Sequence, residues 1–348
     1  MRVEDLDTPA LTVDLDILES NIRIVAEACR KEGIPLRVHT KTHKIPEIAH
    51  MQLAAGAVGI VSQKVGEAEA MVAGGVKDIL IPYNIVGKQK VERLSRLCKQ
   101  ASMTVAVDSE ITARGISEQL AADGSETSVL VELDTGGKRC GVQSPEAARD
   151  LARVVADLPG LNLQGVMTHP ANKRAKPFLD SVRHLFQEAG LPLHTMSSGG
   201  TGSQAVAKAI GCTEVRIGSY LFEGPTRINR TSNPPNPKTC VERMVVTVVS
   251  TPTPDRVIID GGKKTFTNDK DTPYGCIVEH PKAEIYSMSV EHGHVDVSSC
   301  DHTFTVGERI SVIPQHQGMT TNLHDEVYAV RDGFVEAVWQ VAGRGRVK

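Results

Sequence analysis

The feature that most constrains this chain is a rhythm. From Ala10 to the neighbourhood of Arg227, short apolar, β-branched runs alternate with amphipathic stretches. After an opening strand (ALTVDL) and a helix-like stretch (DILESNIRIVAEACRKEG), strands read at LRVHT, AVGIV, DILIP, MTVAV, SVLVEL, NLQGVMTH, LHTMS and TEVRI. Between them lie EIAHMQLAA, GEAEAMVAG, KVERLSRLCKQ, EITARGISEQLAA, PEAARDLARVVADL and QAVAKAIG, whose apolar spacing of three and four residues marks helices. Strands covered on both faces read as continuous apolar runs, as these do. About eight strand–helix alternations over roughly two hundred residues predict a closed (β/α)8 barrel, with an open doubly wound sheet as the alternative.

The texture changes near Arg227. RINRTSNPPNPKTC is a Pro- and Asn-rich connector. The runs after it (VERMVVTVVS, DRVIID, AEIYSMSVEHGHV, ERISVIP, EVYAVRDGFVEAVWQVAG) alternate apolar and polar residues, the signature of a β domain. The expected division is an N-terminal strand over 1–10 joining the β domain, a barrel over 11–230 and a C-terminal β domain over 231–348. The 348 residues suffice for both.

Composition narrows the function classes. A net charge of −3 with no basic stripe argues against nucleic acid. No apolar run approaches the ~20 residues of a membrane span, and the acidic start MRVEDLDTPAL does not read as a secretory signal. The seven cysteines (29, 98, 140, 212, 240, 276, 300) are odd in number and lack C-x-x-C spacing, so they read as reduced cytoplasmic thiols.

In a barrel, chemistry sits where strands end. The first barrel strand ends R-V-H-T-K-T-H-K, bringing Arg37, His39, Lys41, His43 and Lys44 to that face. A lysine there loses hydration and basicity, which suits covalent chemistry with a carbonyl; a solvated loop is the competing reading. The fifth strand ends at Asp134, Lys138 and Arg139, and the sixth at Thr168 and His169, an acid–base candidate. The seventh runs into S-S-G-G-T-G-S and the eighth into G-S-Y. Glycine- and hydroxyl-bearing turns after strands seven and eight match the usual phosphate position of such barrels. A strand-end lysine with a phosphate cradle points to pyridoxal phosphate, or to a sugar phosphate as alternative.

Several motifs occur together along the chain: DTPALTVDLDILESNI, HTKTHKIPEIAHMQLAAGAVGI, SQKVGEAEA, VELDTGGKRCGV, SSGGTGS, EVRIGSY, VEHG and NLHDEV. In these the chain resembles the fold-type III pyridoxal-phosphate enzymes of the D-threonine aldolase and D-serine dehydratase-like family, over essentially its whole length. The resemblance implies a barrel with a β domain, a small-molecule amino-acid substrate and often a homodimer. It implies that Lys41 carries the cofactor covalently and that Arg139 and Gln63 lie near its ring hydroxyl. Gly200, Thr201, Gly218, Ser219 and Tyr220 fall at phosphate-binding positions. Arg216 stands where related alanine racemases set an arginine against the pyridine nitrogen, and His169 on the substrate side.

Two departures stand out. Metal-dependent members carry a histidine and, two residues on, a cysteine or aspartate; here His316 is followed by Gly318, which has no donor. Either His324 or Asp325 completes a remodelled divalent-metal site, or no metal binds. The second departure follows His169, where P-A-N-K-R makes the edge basic. Asn172, Lys173 and Arg174 then either meet an extra anionic group on the substrate or face solvent.

The expected activity is retro-aldol cleavage of a β-hydroxy-D-amino acid to glycine and an aldehyde, with His169 or a group near His316 as base. β-Elimination from D-serine or 3-hydroxyaspartate is the alternative, racemisation a third option, and a non-catalytic cofactor carrier the rival from another class.

Overall fold

The computed structural model describes residues 1–223, 236–270 and 272–348; the expected boundary between 230 and 231 lies outside them. The chain forms two compact units. One comprises Arg23–Lys41, Pro46–Gly218 and Gly345–Lys348, and the other Met1–Ile22, Thr42–Ile45 and Ser219–Arg344.

In chain order the elements open with β1 (Ala10–Asp14) and α1 (Leu15–Glu32). The first unit is a closed barrel of eight parallel strands, in sequence order. These are β2 (Leu36–His39), β3 (Gly59–Val61), β4 (Asp78–Ile81), β5 (Ser102–Val107), β6 (Thr127–Leu133), β7 (Leu161–Thr168), β8 (Thr195–Gly199) and β9 (Glu214–Ile217). Between them run α2 (Pro46–Ala54), α3 (Val65–Ala73), α4 (Lys88–Cys98), α5 (Glu110–Ala122), α6 (Pro145–Asp157), α7 (Lys176–Glu188) and α8 (Gln204–Ala209). All eight expected strands are present, and the open-sheet alternative fails because β2 pairs with β9.

The helices begin as their caps dictate. Ser109 accepts the Thr112 N–H ahead of α5, and Ser144 accepts the Ala147 N–H ahead of α6, whose first residue is proline. Val61, Leu80, Ala106, Leu130 and Met167, from five successive strands, form one buried cluster. One glycine is obligatory here. Gly165 has φ +140°, and a Cβ on it would lie 2.1 Å from the Thr195 carbonyl, so β7 and β8 approach closely only because it is bare.

The second unit is built on a nine-stranded sheet. Its further strands are β10 (Glu242–Thr253), β11 (Arg256–Ile259), β12 (Gly275–Ile277), β13 (Glu284–Met288), β14 (Gly293–Asp296), β15 (Arg309–Pro314), β16 (Glu326–Arg331) and β17 (Phe334–Gln340). β1 joins this sheet, antiparallel to β10 and parallel to β16. Two short helices, α9 (Tyr220–Glu223) and α10 (Gln317–Thr321), belong to the same unit. The stretch AEIYSMSVEHGHV, which alternates throughout, folds as the β13–β14 hairpin. Among the described residues no helix is long and apolar enough to cross a membrane.

Candidate active site

Lys41 lies in a single 3-10 turn, Thr40–Thr42, directly after β2. Its side chain reaches solvent, yet surrounding protein thins its hydration. Burial is the first cause that lowers its pKa; Arg139 and Arg216 add to this, and Glu67 opposes. More of the amine is therefore neutral, and nucleophilic, than in an ordinary lysine.

His39 orients this turn. Its Nδ1 accepts the Lys41 backbone N–H at 3.3 Å, so its proton sits on Nε2 and is donated to Gln63 Oε1 at 3.1 Å. Burial, then the charge of Lys41, holds the ring neutral by pushing its pKa well below the usual range. The Gln63 backbone N–H is held by Glu67 Oε2 at 2.8 Å. His39 was read as one member of a strand-end cluster; its tie from Lys41 to Gln63 was not.

Arg139 stands 3.6 Å from Glu132, a carboxylate buried on β6 whose pKa burial raises despite that partner. Asp134 does not join this pair. Its Oδ1 accepts the Gly136 and Lys138 N–H groups at 2.9 and 3.1 Å, and these bonds lower its pKa. Asp134 therefore builds the loop in which Lys138 takes φ +51°. The same loop passes across the His169 carbonyl, which a Cβ on Gly137 would meet at 2.6 Å.

Arg216 is buried on β9, and burial is the main cause lowering its pKa, offset first by Glu214. It donates to Ser197 Oγ and, at 2.8 Å, to the Thr168 carbonyl. Ser197 passes the chain on to Glu214 Oε1 at 2.6 Å, and Glu214 Oε2 accepts Arg37 Nε at 3.0 Å. Arg37 also pairs with Asp78. Arg37 is thus a structural partner below the mouth, and Gly59 is bare because a Cβ there would strike its guanidinium. His169 lies beyond Thr168, its pKa lowered to about 4 by burial and then by Arg216, Arg139 and Lys41.

After β8, Gly200 has φ +133° and donates its N–H to the Arg216 carbonyl at 3.0 Å. Ser203 closes the turn onto the Gly200 carbonyl through both its N–H and its hydroxyl. Thr201 lies within that turn. Gly218 is the last barrel residue before the second unit, where Ser219 precedes α9 and Tyr220 is fully buried.

In the second unit, His316 Nδ1 lies 2.7 Å from Asp269 Oδ2. Burial raises the Asp269 pKa, but hydrogen bonds from Thr267 and His316 outweigh it and hold the carboxyl below its usual value. The imidazole proton then sits on Nδ1, and Nε2 presents its lone pair. Gly318 is bare for a packing reason, since a Cβ there would come within 3.2 Å of the Thr42 carbonyl. His324 is committed to the Thr265 carbonyl at 2.9 Å, and Asp325 pairs with Arg344. The remodelled metal set imagined from His324 or Asp325 is therefore not assembled. His316 and Asp269 are two donors, short of the three or four protein ligands that hold a zinc-type ion tightly. Lys44, singled out beside Lys41, donates to Asn322 at 2.7 Å.

Asp269, Glu132 and Glu214 escaped the sequence reading. Glu132 and Glu214 carried a signal, because an ionisable residue inside an apolar strand needs a partner. Asp269 carried none, lying 47 residues upstream of His316 in a polar loop.

The comparisons with known proteins agree with this geometry. Residues 13–225 match the family described as alanine racemase, N-terminal domain, and residues 242–330 the putative serine dehydratase domain. The chain belongs to the fold-type III pyridoxal-phosphate enzymes, in the D-threonine aldolase and D-serine dehydratase-like family. It is 35% identical to a D-threonine aldolase from an Arthrobacter species, across 98% of this chain and 93% of that one. It is 32% identical to a 3-hydroxy-D-aspartate aldolase of Paracoccus denitrificans, across 99% and 94%. The solved D-threonine aldolase of Filomicrobium marinum superposes with TM-score 0.90 at 32% identity, covering 99% and 98%. The mouth fits such a fold-type III cofactor: Lys41, Arg139 and Arg216 crowd it with positive charge, and neutral imidazoles lie between them. An anion relieves that crowding.

Proposed function

We propose that this enzyme cleaves β-hydroxy-D-amino acids by a retro-aldol reaction, giving glycine and an aldehyde. The observation that carries the reading is Lys41, made less basic at a cation-lined barrel mouth, in a chain similar to D-threonine aldolase throughout. Pyridoxal phosphate, when bound, supplies an electron sink for the charge left on Cα as the Cα–Cβ bond breaks.

In this reading Lys41 would hold the cofactor, its lowered basicity leaving more of the amine neutral for that bond. Arg139 and Gln63 attend the ring hydroxyl, and Arg216 the ring nitrogen. A guanidinium does not give up its proton, so that nitrogen stays unprotonated. Gly200, Thr201, Gly218, Ser219 and Tyr220 serve the phosphate. His316 removes the β-hydroxyl proton through Nε2, with Asp269 stabilising the imidazolium that forms. His169, with its pKa near 4, is too weak a base at neutral pH to be the better choice. It contributes as a neutral hydrogen-bonding group. Elimination is disfavoured because a departing hydroxide needs an acid, and Gly318 offers no donor where a second metal ligand would assist that departure.

The carrier reading is disfavoured by the second unit, which contains the His316–Asp269 pair. We further propose a homodimer acting in the cytoplasm, with Lys173 and Arg174 turned to solvent; both are exposed. Substrate stereochemistry tests the proposal. The holoenzyme should release acetaldehyde from D-threonine and not from L-threonine. Equal release from both would overturn the D-specific reading, and release from neither would overturn the aldolase.

A further inference from the structure

Apart from the residues assigned to the candidate active site, the sheet unit gathers two imidazoles and a carboxylate. His280 lies between β12 and β13, His302 between β14 and β15, and Glu308 immediately before β15. One donor atom from each lies within 4.8 Å of the other two, and among the described residues this is the one group of three or more His, Cys, Asp or Glu so arranged. We propose that His280, His302 and Glu308 bind one divalent ion of the zinc class (zinc, cobalt or nickel), stapling these loops to the start of β15.

Glu308 Oε1 stands 2.8 Å from His302 Nε2 and 3.8 Å from His280 Nε2. Metal–ligand bonds of ~2.0–2.1 Å in a tetrahedral site separate neighbouring donors by about 3.3 Å. The two distances straddle that value, and the third pair, His280 with His302, lies within 4.8 Å, so the site closes by side-chain adjustment. An ion pair alone explains the group less well. One proton satisfies His302 and Glu308, leaving His280 beyond hydrogen-bond reach of the same oxygen. The imidazoles are stacked with centroids 4.3 Å apart, where two positive charges would repel. A dication takes both rings in their neutral form together with the carboxylate.

The surroundings hold the donors in place. Glu308 Oε2 accepts the Thr305 N–H at 3.0 Å, which fixes the carboxylate and leaves Oε1 for the ion. The Glu308 carbonyl is tied to the Val248 N–H at 2.8 Å. Phe304 sets its edge or face against both imidazoles, 4.7 and 4.8 Å between centroids. Lys282 and Asp301, each near a ligand in the chain, pair at 3.0 Å and tie the same two loops. His302 is 41% exposed, so an ion can enter and water can fill the fourth position.

The test is calorimetric titration of Zn2+ into the full-length holoenzyme and into His316→Ala, which removes the other histidine of interest. Both should bind one ion per chain at this site, with a Tm that rises with Zn2+. His280→Ala/His302→Ala should weaken binding at least ~100-fold and abolish the Tm rise, while aldehyde release from D-threonine persists. Should that double variant not fold, His302→Gln, at an exposed position, should still weaken binding about tenfold or more. No binding to the wild type, or unchanged binding in these variants, overturns the site. Failure of the aldolase reading would leave it standing.

Discussion

At the scale of single residues, the proposed proton transfer rests on the pairing of His316 with Asp269. The Asp269 carboxylate accepts from Nδ1 and so fixes the ring with Nε2 free to act, an orientation an amide holds less firmly. His316→Ala should lower kcat on D-threonine by about 10²–10⁴-fold with the substrate KM little changed. Asp269→Asn should lower kcat less than His316→Ala, because the ring stays but loses the acceptor that orients it. His169→Gln should leave the shape of the kcat profile unchanged between pH 5 and 9, since a group with pKa near 4 is neutral throughout that range. Steady-state kinetics from pH 5 to 9 checks all three. Lys41 was legible in the sequence because a cation closing an apolar strand is chemically conspicuous. Asp269 was not, because its only qualification is the fold of a polar loop around His316.

At the scale of elements, the barrel strands were readable because continuous apolar runs followed by helical spacing leave few alternatives. What could not be read was where two backbones approach too closely for a side chain. Gly165→Ala combines a left-handed φ with a carbonyl at 2.1 Å, and should cost about 3 kcal/mol or more of unfolding free energy. Gly318→Asp, which would put a carboxylate two residues after His316, places its Cβ 3.2 Å from the Thr42 carbonyl. It should lose about 1–3 kcal/mol in denaturant titration. The closeness of Gly318 to Thr42 is a contact that no reading of spacing reveals. The glycines of SSGGTGS were legible as a turn, but not the hydrogen bond from the Gly200 N–H to the Arg216 carbonyl.

At the scale of the whole molecule, ionisation couples the site to stability. His39 and His169 have pKa values below the 6.5 of an unfolded histidine. Unfolding therefore takes up protons below pH 6.5, and stability falls as pH drops from there through about 4. Glu69, Asp123, Asp134 and Asp180 are held below ordinary carboxylates, so their contribution is present above pH ~4 and lost beneath it. Urea midpoints should decline in both windows. Bound pyridoxal phosphate, an anion among Lys41, Arg139 and Arg216, should flatten the upper one. An equal slope with and without cofactor would contradict the assignment of those cations. Burial pushes the thiols of Cys29, Cys98 and Cys212 up to about 11, far from reactive.

The account stands or falls on which bond breaks. The holoenzyme should be given D-threonine and its products counted by mass spectrometry. Glycine and acetaldehyde in equal amounts, with neither formed by Lys41→Ala, is the predicted result. Ammonia and a four-carbon keto acid as the main products would contradict it.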